Sequence, residues 1–239
     1  MYFCFKLFVL KKILILRFSS IGDIVLTTPV VRCLKKQLNV ELHYLTKNSF
    51  KRILENNPFV DKVHAFDKEI SKELIAHLQN ENFDFIVDLH ANLRTFRLKK
   101  LLNVSSKSFP KLNVQKWLLV HFNIDKMPNK HIVDRYFDAV SHLGIVNDMC
   151  GLDYFIPKES HVNLSRLPKL HANGYVGFVV GGQHATKMMP TQKLIDVCKT
   201  LDAPIVLLGG PEDAAKGALI EKEVGLMVYN ACGKFKLDE

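Results

Sequence analysis

The chain has 239 residues, 48% hydrophobic and 24% charged, with 33 Lys and Arg against 24 Asp and Glu for a formal net charge of +9. This is the composition of a folded globular protein; it excludes disorder, and the length fits one large α/β domain or one and a half ordinary ones. The basic excess points to anionic partners, but its residues are spread thinly, in pairs such as Lys35-Lys36 and Lys99-Lys100, with no aromatic-basic stripe, so nucleic acid is not an expected partner.

Residues 1–11 read as an N-terminal extension: Met1 to Leu10 is apolar, lacks a basic start and a small-residue cleavage site, and is stopped by Lys11-Lys12 before it could span a bilayer. The first strand begins at Lys12, with Ile13 to Leu16 as the continuous aliphatic run that a strand buried on both faces requires. After the loop Arg17 to Gly22, the spacing predicts one helix over Asp23 to Leu38. Strands are predicted at Glu41 to Leu45, Lys62 to Phe66 and Phe85 to Leu89. Helices are predicted at Ser49 to Glu55, Lys68 to Asn80 and Leu93 to Leu102. Strands alternating with helices imply a parallel sheet covered on both faces.

Asn113 to Leu143 reads as helical and ends at Gly144. Met149 to Asn173, with Pro157, Pro168 and more Asn, Ser and His, reads as the interdomain linker, so the first domain is set at residues 12–160 and the second at 161–239. The alternation then restarts: strand Tyr175 to Val180, helix Thr191 to Thr200, strand Ile205 to Leu208, helix Asp213 to Val224, strand Met227 to Tyr229. Three strands and two one-sided helices are a thin second domain, and further units would be expected to cover it.

Three loops carry chemistry-bearing residues. Arg17-Phe18-Ser19-Ser20-Ile21-Gly22-Asp23 follows the first strand, where open parallel sheets bind ligands. Gly22 permits close backbone approach or a positive φ, and Asp23 at a helix start suits either chemistry or capping; the residue alone does not choose. Gly181-Gly182-Gln183-His184-Ala185-Thr186-Lys187 offers backbone N–H groups, a hydroxyl and a cation, which suit a diphosphate or an ordinary polar loop. In Gly209-Gly210-Pro211-Glu212-Asp213 the acidic pair suits a ribose or, more commonly, a helix cap.

Several chemistries are excluded. The chain has no G-x-G, and Gln183 stands where a phosphate-binding P-loop would place its lysine after the Gly177 to Gly182 spacing. H-E-x-x-H, G-x-S-x-G and Asp-x-Asp are missing as well. Cys4, Cys33, Cys150, Cys198 and Cys232 are odd in number, far apart and without a C-x-x-C pair, so neither a disulfide framework nor a zinc cluster is encoded, and a reducing cytoplasm fits.

Lys12 to Pro29, KILILRFSSIGDIVLTTP, closely resembles the opening of family 9 glycosyltransferases, the ADP-heptose:lipopolysaccharide heptosyltransferases. Asp88-Leu89-His90-Ala91-Asn92-Leu93-Arg94 resembles that family's fourth-strand motif, and Thr186-Lys187-Met188-Met189-Pro190 its donor-loop lysine segment. Leu207 to Asp213 and Asn230 to Lys234 are similar to it too, so the resemblance runs from Lys12 to the last residue and is weakest between Asn103 and Asn173.

The resemblance implies a GT-B-like α/β fold: an N-terminal Rossmann-like parallel sheet with helices on both faces, facing an incomplete second Rossmann-like domain across a cleft. It implies inverting, metal-independent transfer of a heptose-like sugar from an ADP-heptose-like donor to lipopolysaccharide core or a related acidic glycolipid, with no cofactor. Asp23 would be the catalytic base. Gly182, Gln183, Thr186 and Lys187 would hold the donor diphosphate, and Asp213 would contact its nucleoside. Arg17, Ser19, Ser20, Gly22 and Arg94 would meet the acceptor, the arginines suiting its acidic groups. Work on such an acceptor implies a cytoplasmic protein at the inner face of the bacterial inner membrane, with peripheral membrane contact. The family normally continues through an Asp-x-Gly-x-x-His-type motif that helps bind the donor, and this chain ends before one. It reads as a C-terminally truncated member, with binding without turnover as the alternative to catalysis. The aromatic residue that the family often has before Pro190 is Met189 here.

Overall fold

The computed structural model describes residues 11–182 and 185–239. They form two compact units that divide between Phe155 and Ile156.

In the first unit the chain runs β1 (Lys12–Leu16), α1 (Ile21–Val25), α2 (Thr28–Gln37), β2 (Glu41–Lys47), α3 (Arg52–Glu55), β3 (Lys62–Phe66), α4 (Lys72–Asn80), β4 (Phe85–Asp88), α5 (Leu93–Leu102), β5 (Ser106–Ser108), α6 (Asn113–Phe122) and α7 (Ile132–Phe137). The five strands are all parallel, in the order β3-β2-β1-β4-β5. The two-residue period of β1 shows why both faces must be covered. Ile13 and Ile15 pack with Ile24, Val30, Leu34 and Tyr136 on one side, Leu14 and Leu16 with Leu78, Leu98 and Leu102 on the other. All four β1 side chains are fully buried, each contributing roughly 1.5–3 kcal/mol of apolar transfer as an upper estimate.

The helix expected over Asp23 to Leu38 is two helices, and Pro29 is the reason. Proline has no N–H to give the carbonyl four residues back, at Val25. The Thr28 hydroxyl takes that carbonyl instead, at 2.7 Å, and the Thr27 hydroxyl takes that of Ile24 at 2.6 Å. Tyr44 Oη, 2.9 Å from Thr27 Oγ1, ties the break to β2.

The helix expected from Ser49 is a 3₁₀ turn, Asn48–Phe50, followed by α3. The one expected from Lys68 begins at Lys72, where the Ser71 hydroxyl accepts from the Leu74 N–H at 3.2 Å. β5 was not expected; its three polar residues carry no periodic signal. The helical stretch before Gly144 is α6 and α7 with a 3₁₀ turn, Ser141–Leu143, and Gly144 takes φ +76°.

The start of the expected linker is fastened to the first unit. Arg32, on α2 and 2% exposed, grips Asp148 with two hydrogen bonds of 2.8 and 2.7 Å and also pairs with Asp153. Asp148 is held far below the ordinary carboxylate range, chiefly by the Arg32 hydrogen bonds.

The second unit has β6 (Val176–Val179), α8 (Thr191–Thr200), β7 (Ile205–Leu208), α9 (Ala214–Val224) and β8 (Val228–Asn230), with its parallel strands in the order β6-β7-β8. Both helices lie on one face: Leu194, Ile195, Cys198 and Ile220 pack on Val180, Ile205, Leu207 and Val228. On the other face Val179 is 68% exposed. Gly217 lets α9 approach β8, since a Cβ there would lie 2.2 Å from Asn230 Oδ1. No helix among the described residues is long and apolar enough to cross a membrane.

Candidate active site

The strand order of the first sheet reverses between β1 and β4, and open parallel sheets bind ligands at that point, outside the carboxyl ends of the strands. The loop after β1 is anchored by Phe18, buried edge-on against Phe66 with centroids 4.9 Å apart. Arg17 beside it is buried, and its guanidinium is largely committed within the protein. Nε donates to the Ser19 carbonyl at 2.8 Å, and Nη1 donates to the Leu89 carbonyl at 2.7 Å and to Tyr136 Oη at 3.2 Å. Nη2 pairs with Asp23 Oδ2 at 2.7 Å.

Asp23 stands on the first turn of α1. Ser20 donates to the same Oδ2 from its N–H at 3.2 Å and its hydroxyl at 2.9 Å. Every hydrogen bond Asp23 accepts among the described residues therefore falls on Oδ2, and Oδ1 is left for a further donor. Partial burial pushes the carboxyl pKa up, but the Arg17 charge and the Ser20 bonds outweigh it, and the net shift is down. Asp23 is an anion at neutral pH, with one oxygen fixed and one open.

Ser19 is half-buried, and Ser20 and Gly22 are exposed. The positive φ considered for Gly22 is not found, and a Cβ there would meet nothing within 4 Å. No protein contact requires glycine at this position.

Across the switch point, the loop after β4 is folded by Asp88, whose Oδ1 accepts the N–H groups of His90 at 3.1 Å and Ala91 at 2.8 Å. Its Oδ2 takes Lys99 at 2.8 Å and Ser108 at 3.1 Å. Asp88 is buried, yet these partners keep its pKa low. His90 stacks at 4.9 Å on Phe18, and burial together with the nearby Arg17 charge lowers its pKa to about 4, so the ring is neutral at physiological pH. Its Nδ1 is buried with no hydrogen-bond partner among the described residues. Arg94, early in α5, is exposed and among the described residues reaches only the Lys68 carbonyl, at 3.4 Å. His90 and Tyr136 carry no separate signal in the sequence: His90 lies inside the Asp88 to Arg94 segment, and Tyr136 inside the helical stretch Asn113 to Leu143.

In the second unit the chemistry-bearing loops follow β6, β7 and β8. Gly181 and Gly182 follow β6; Thr186 and Lys187 lie in the 3₁₀ turn Ala185–Lys187 and are both exposed, while Gln183 lies outside the described residues. Asp213 Oδ2 accepts the Gly210 N–H at 3.0 Å, and its carboxylate presses against two glycines. A Cβ at Gly181 would lie 2.0 Å from Oδ2, and one at Gly209 2.8 Å from the Asp213 Cβ. Lys216 ties the first of these loops together, donating to the carbonyls of Val180 at 3.2 Å and Met189 at 3.0 Å. Gly233, after β8, takes φ +71° and donates to the Gly209 carbonyl at 3.0 Å.

Comparison with known proteins gives the family and the fold. Lipopolysaccharide heptosyltransferase 1 from Campylobacter coli is 26% identical over 210 residues; the match takes in 80% of this chain and 60% of that protein, so the chain spans well short of the relative's length. The glycosyl transferase family 9 structure from Veillonella parvula superimposes with a TM-score of 0.75 at 22% identity, over 95% of this chain and 71% of the other. E. coli ADP-heptose LPS heptosyltransferase II gives 0.71 at 16% identity, over 95% and 74%. E. coli heptosyltransferase WaaC, solved with ADP-2-deoxy-2-fluoro heptose, gives 0.65 at 17% identity, over 92% and 75%. These neighbours share the GT-B-like α/β fold. The model of glycosyltransferase family 9 (heptosyltransferase) matches residues 72–239, most of the chain, and the protein belongs to that family.

Proposed function

We propose that this chain serves the inverting transfer of a heptose-like sugar from an ADP-heptose-like donor to lipopolysaccharide core or a related acidic glycolipid, by chemistry that needs no metal. The observation that carries the proposal is Asp23: a carboxylate at the switch point with Oδ2 held by Arg17 and Ser20 and Oδ1 open. The acceptor hydroxyl oxygen attacks the anomeric carbon as the bond to the diphosphate breaks, and its proton passes to Oδ1. A low pKa suits this role, because the hydroxyl proton becomes acidic only as the C–O bond forms.

The second unit answers to the leaving group. Lys187 and Thr186, with the backbone N–H groups around Gly182 and Gln183, would neutralise charge on the departing diphosphate and stand in for a metal. Asp213, from the neighbouring loop, would contact the nucleoside. On the acceptor side Arg94, Ser20 and Gly22 are exposed and Ser19 is half-buried, and these four would meet the acceptor. Arg17, expected from sequence to bind acceptor, we reassign to holding Asp23, since four of its five N–H donors are spent inside the protein.

The acceptor is lipid-borne, which calls for peripheral contact at the cytoplasmic face of the inner membrane. α6 supports that contact: it has no buried residue, Val120 is 78% and Trp117 51% exposed, and the exposed Lys116 directly precedes Trp117.

Release of ADP from ADP-heptose in the presence of heptose-free lipopolysaccharide core tests the reading. Asp23→Ala is expected to lower kcat by about 10²–10⁴-fold without moving Tm. Undiminished turnover by that variant would overturn the base assignment. Donor uptake by the unaltered chain with no product would favour binding without turnover.

A further inference from the structure

We propose that His43, His64 and Glu81 form a site for one structural zinc-class ion at the amino-terminal edge of the first sheet, the edge opposite Asp23. The residues come from β2, β3 and the end of α4. One ligand atom from each lies within 4.8 Å of the others. His43 and His64 are buried, and the Glu81 side chain is 12% exposed.

The orientation of His43 is the strongest evidence. Its Nε2 lies 2.6 Å from Glu41 Oε1, which fixes that nitrogen as the donor and turns the lone pair of Nδ1 inward. A carboxylate behind the imidazole is the usual support of a metal-bound histidine: it sets the tautomer and raises ligand basicity. Nδ1 then faces His64 Nε2 at 2.9 Å and Glu81 Oε2 at 3.9 Å. Bonds of about 2.0–2.2 Å to a tetrahedral ion ask the two nitrogens to part slightly and the carboxylate to close in.

Lys12 and Lys62 hold the Glu81 oxygens. Neither lysine is locked there: Lys12 has a second partner in Glu41 at 3.4 Å, and the Lys62 side chain is 46% exposed. His77 stands beside the group, with Nε2 3.5 Å from Glu81 Oε1 and its ring 5.3 Å from that of His64, and the fourth position is left to water. Two imidazoles and a carboxylate against the Phe83 ring favour zinc over calcium or magnesium, which demand more oxygens. The ion would pin the end of α4 to β2 and β3, and takes no part in the transfer reaction.

The test is zinc titration of chelator-stripped protein carrying Cys150→Ser, which removes an exposed thiol, in competition with a chromophoric chelator. One equivalent is expected to bind saturably and to raise Tm. Cobalt in its place should give the intense visible bands of a tetrahedral nitrogen and oxygen set, without thiolate charge transfer. Glu41→Gln should weaken zinc by about 10–100-fold, and His64→Gln and Glu81→Gln by more. Failure of the folded protein to take up one equivalent, or unchanged affinity in folded His64→Gln, would reduce the cluster to a hydrogen-bonded histidine pair and overturn the proposal.

Discussion

At the carboxyl edge of the first sheet, orientation is held by side chains; at the same edge of the second, it is held by glycines. Asp23 is fixed through Arg17, which is itself fixed by Leu89, Tyr136 and Ser19. The loops of the second unit close by letting Asp213 sit against Gly181 and Gly209, and leave Thr186 and Lys187 exposed. Under the proposed function the contrast follows from two tasks. A base must present one oxygen in one direction, which takes several directional bonds. A diphosphate spreads its charge over many oxygens, and backbone N–H groups with a mobile cation can follow it.

Substitutions can break this contrast at either end. The largest effect after loss of Asp23 is expected from Lys187→Ala, which should lower kcat by about 10²–10³-fold with Tm unchanged, because the side chain is exposed; equal turnover would return Lys187 to the solvated surface. Gly181→Ala should cost about 1–3 kcal/mol of stability through overpacking and raise the KM for donor, because the new methyl must expel Asp213. Thermal melts and donor kinetics read both.

Tyr136→Phe strips Arg17 of one acceptor, at about 1 kcal/mol, and loosens the grip on Asp23. The sign of its pH effect is fixed. The Arg17 charge and bonds help lower the Asp23 pKa, so the acid limb of the kcat profile should move to higher pH. A limb that stays put would separate Tyr136 from the base. The smallest effect is predicted for Gly22→Ala, whose methyl meets no protein atom: Tm should hold or rise slightly, and any loss of activity would report acceptor packed against the helix start.

Much of this was legible in the chain. The aliphatic run before Arg17 marked a buried strand, and the polar residues after it marked the loop at the strand's carboxyl end, because both signals are local. The break at Thr27 was less so: Pro29 is visible, but the hydroxyls that let the chain tolerate it at that point act only in three dimensions. The role of Arg17 was hidden for the same reason, since Leu89 and Tyr136 are far along the sequence and reach it only through the crossover from β1 to β4. His43, His64 and Glu81 match no ligand spacing. Parallel pairing of β2 with β3 and the packing of α4 bring them together.

The contact between Asp213 and two glycines has an evolutionary side. Because the carboxylate fills the space that a methyl at residue 181 or 209 would need, the three positions cannot drift independently. A lineage that lost Asp213 would free both glycines to vary, and one that gained a side chain at 181 would need a smaller partner at 213. The costs of Gly181→Ala and Asp213→Ala should accordingly be far from additive.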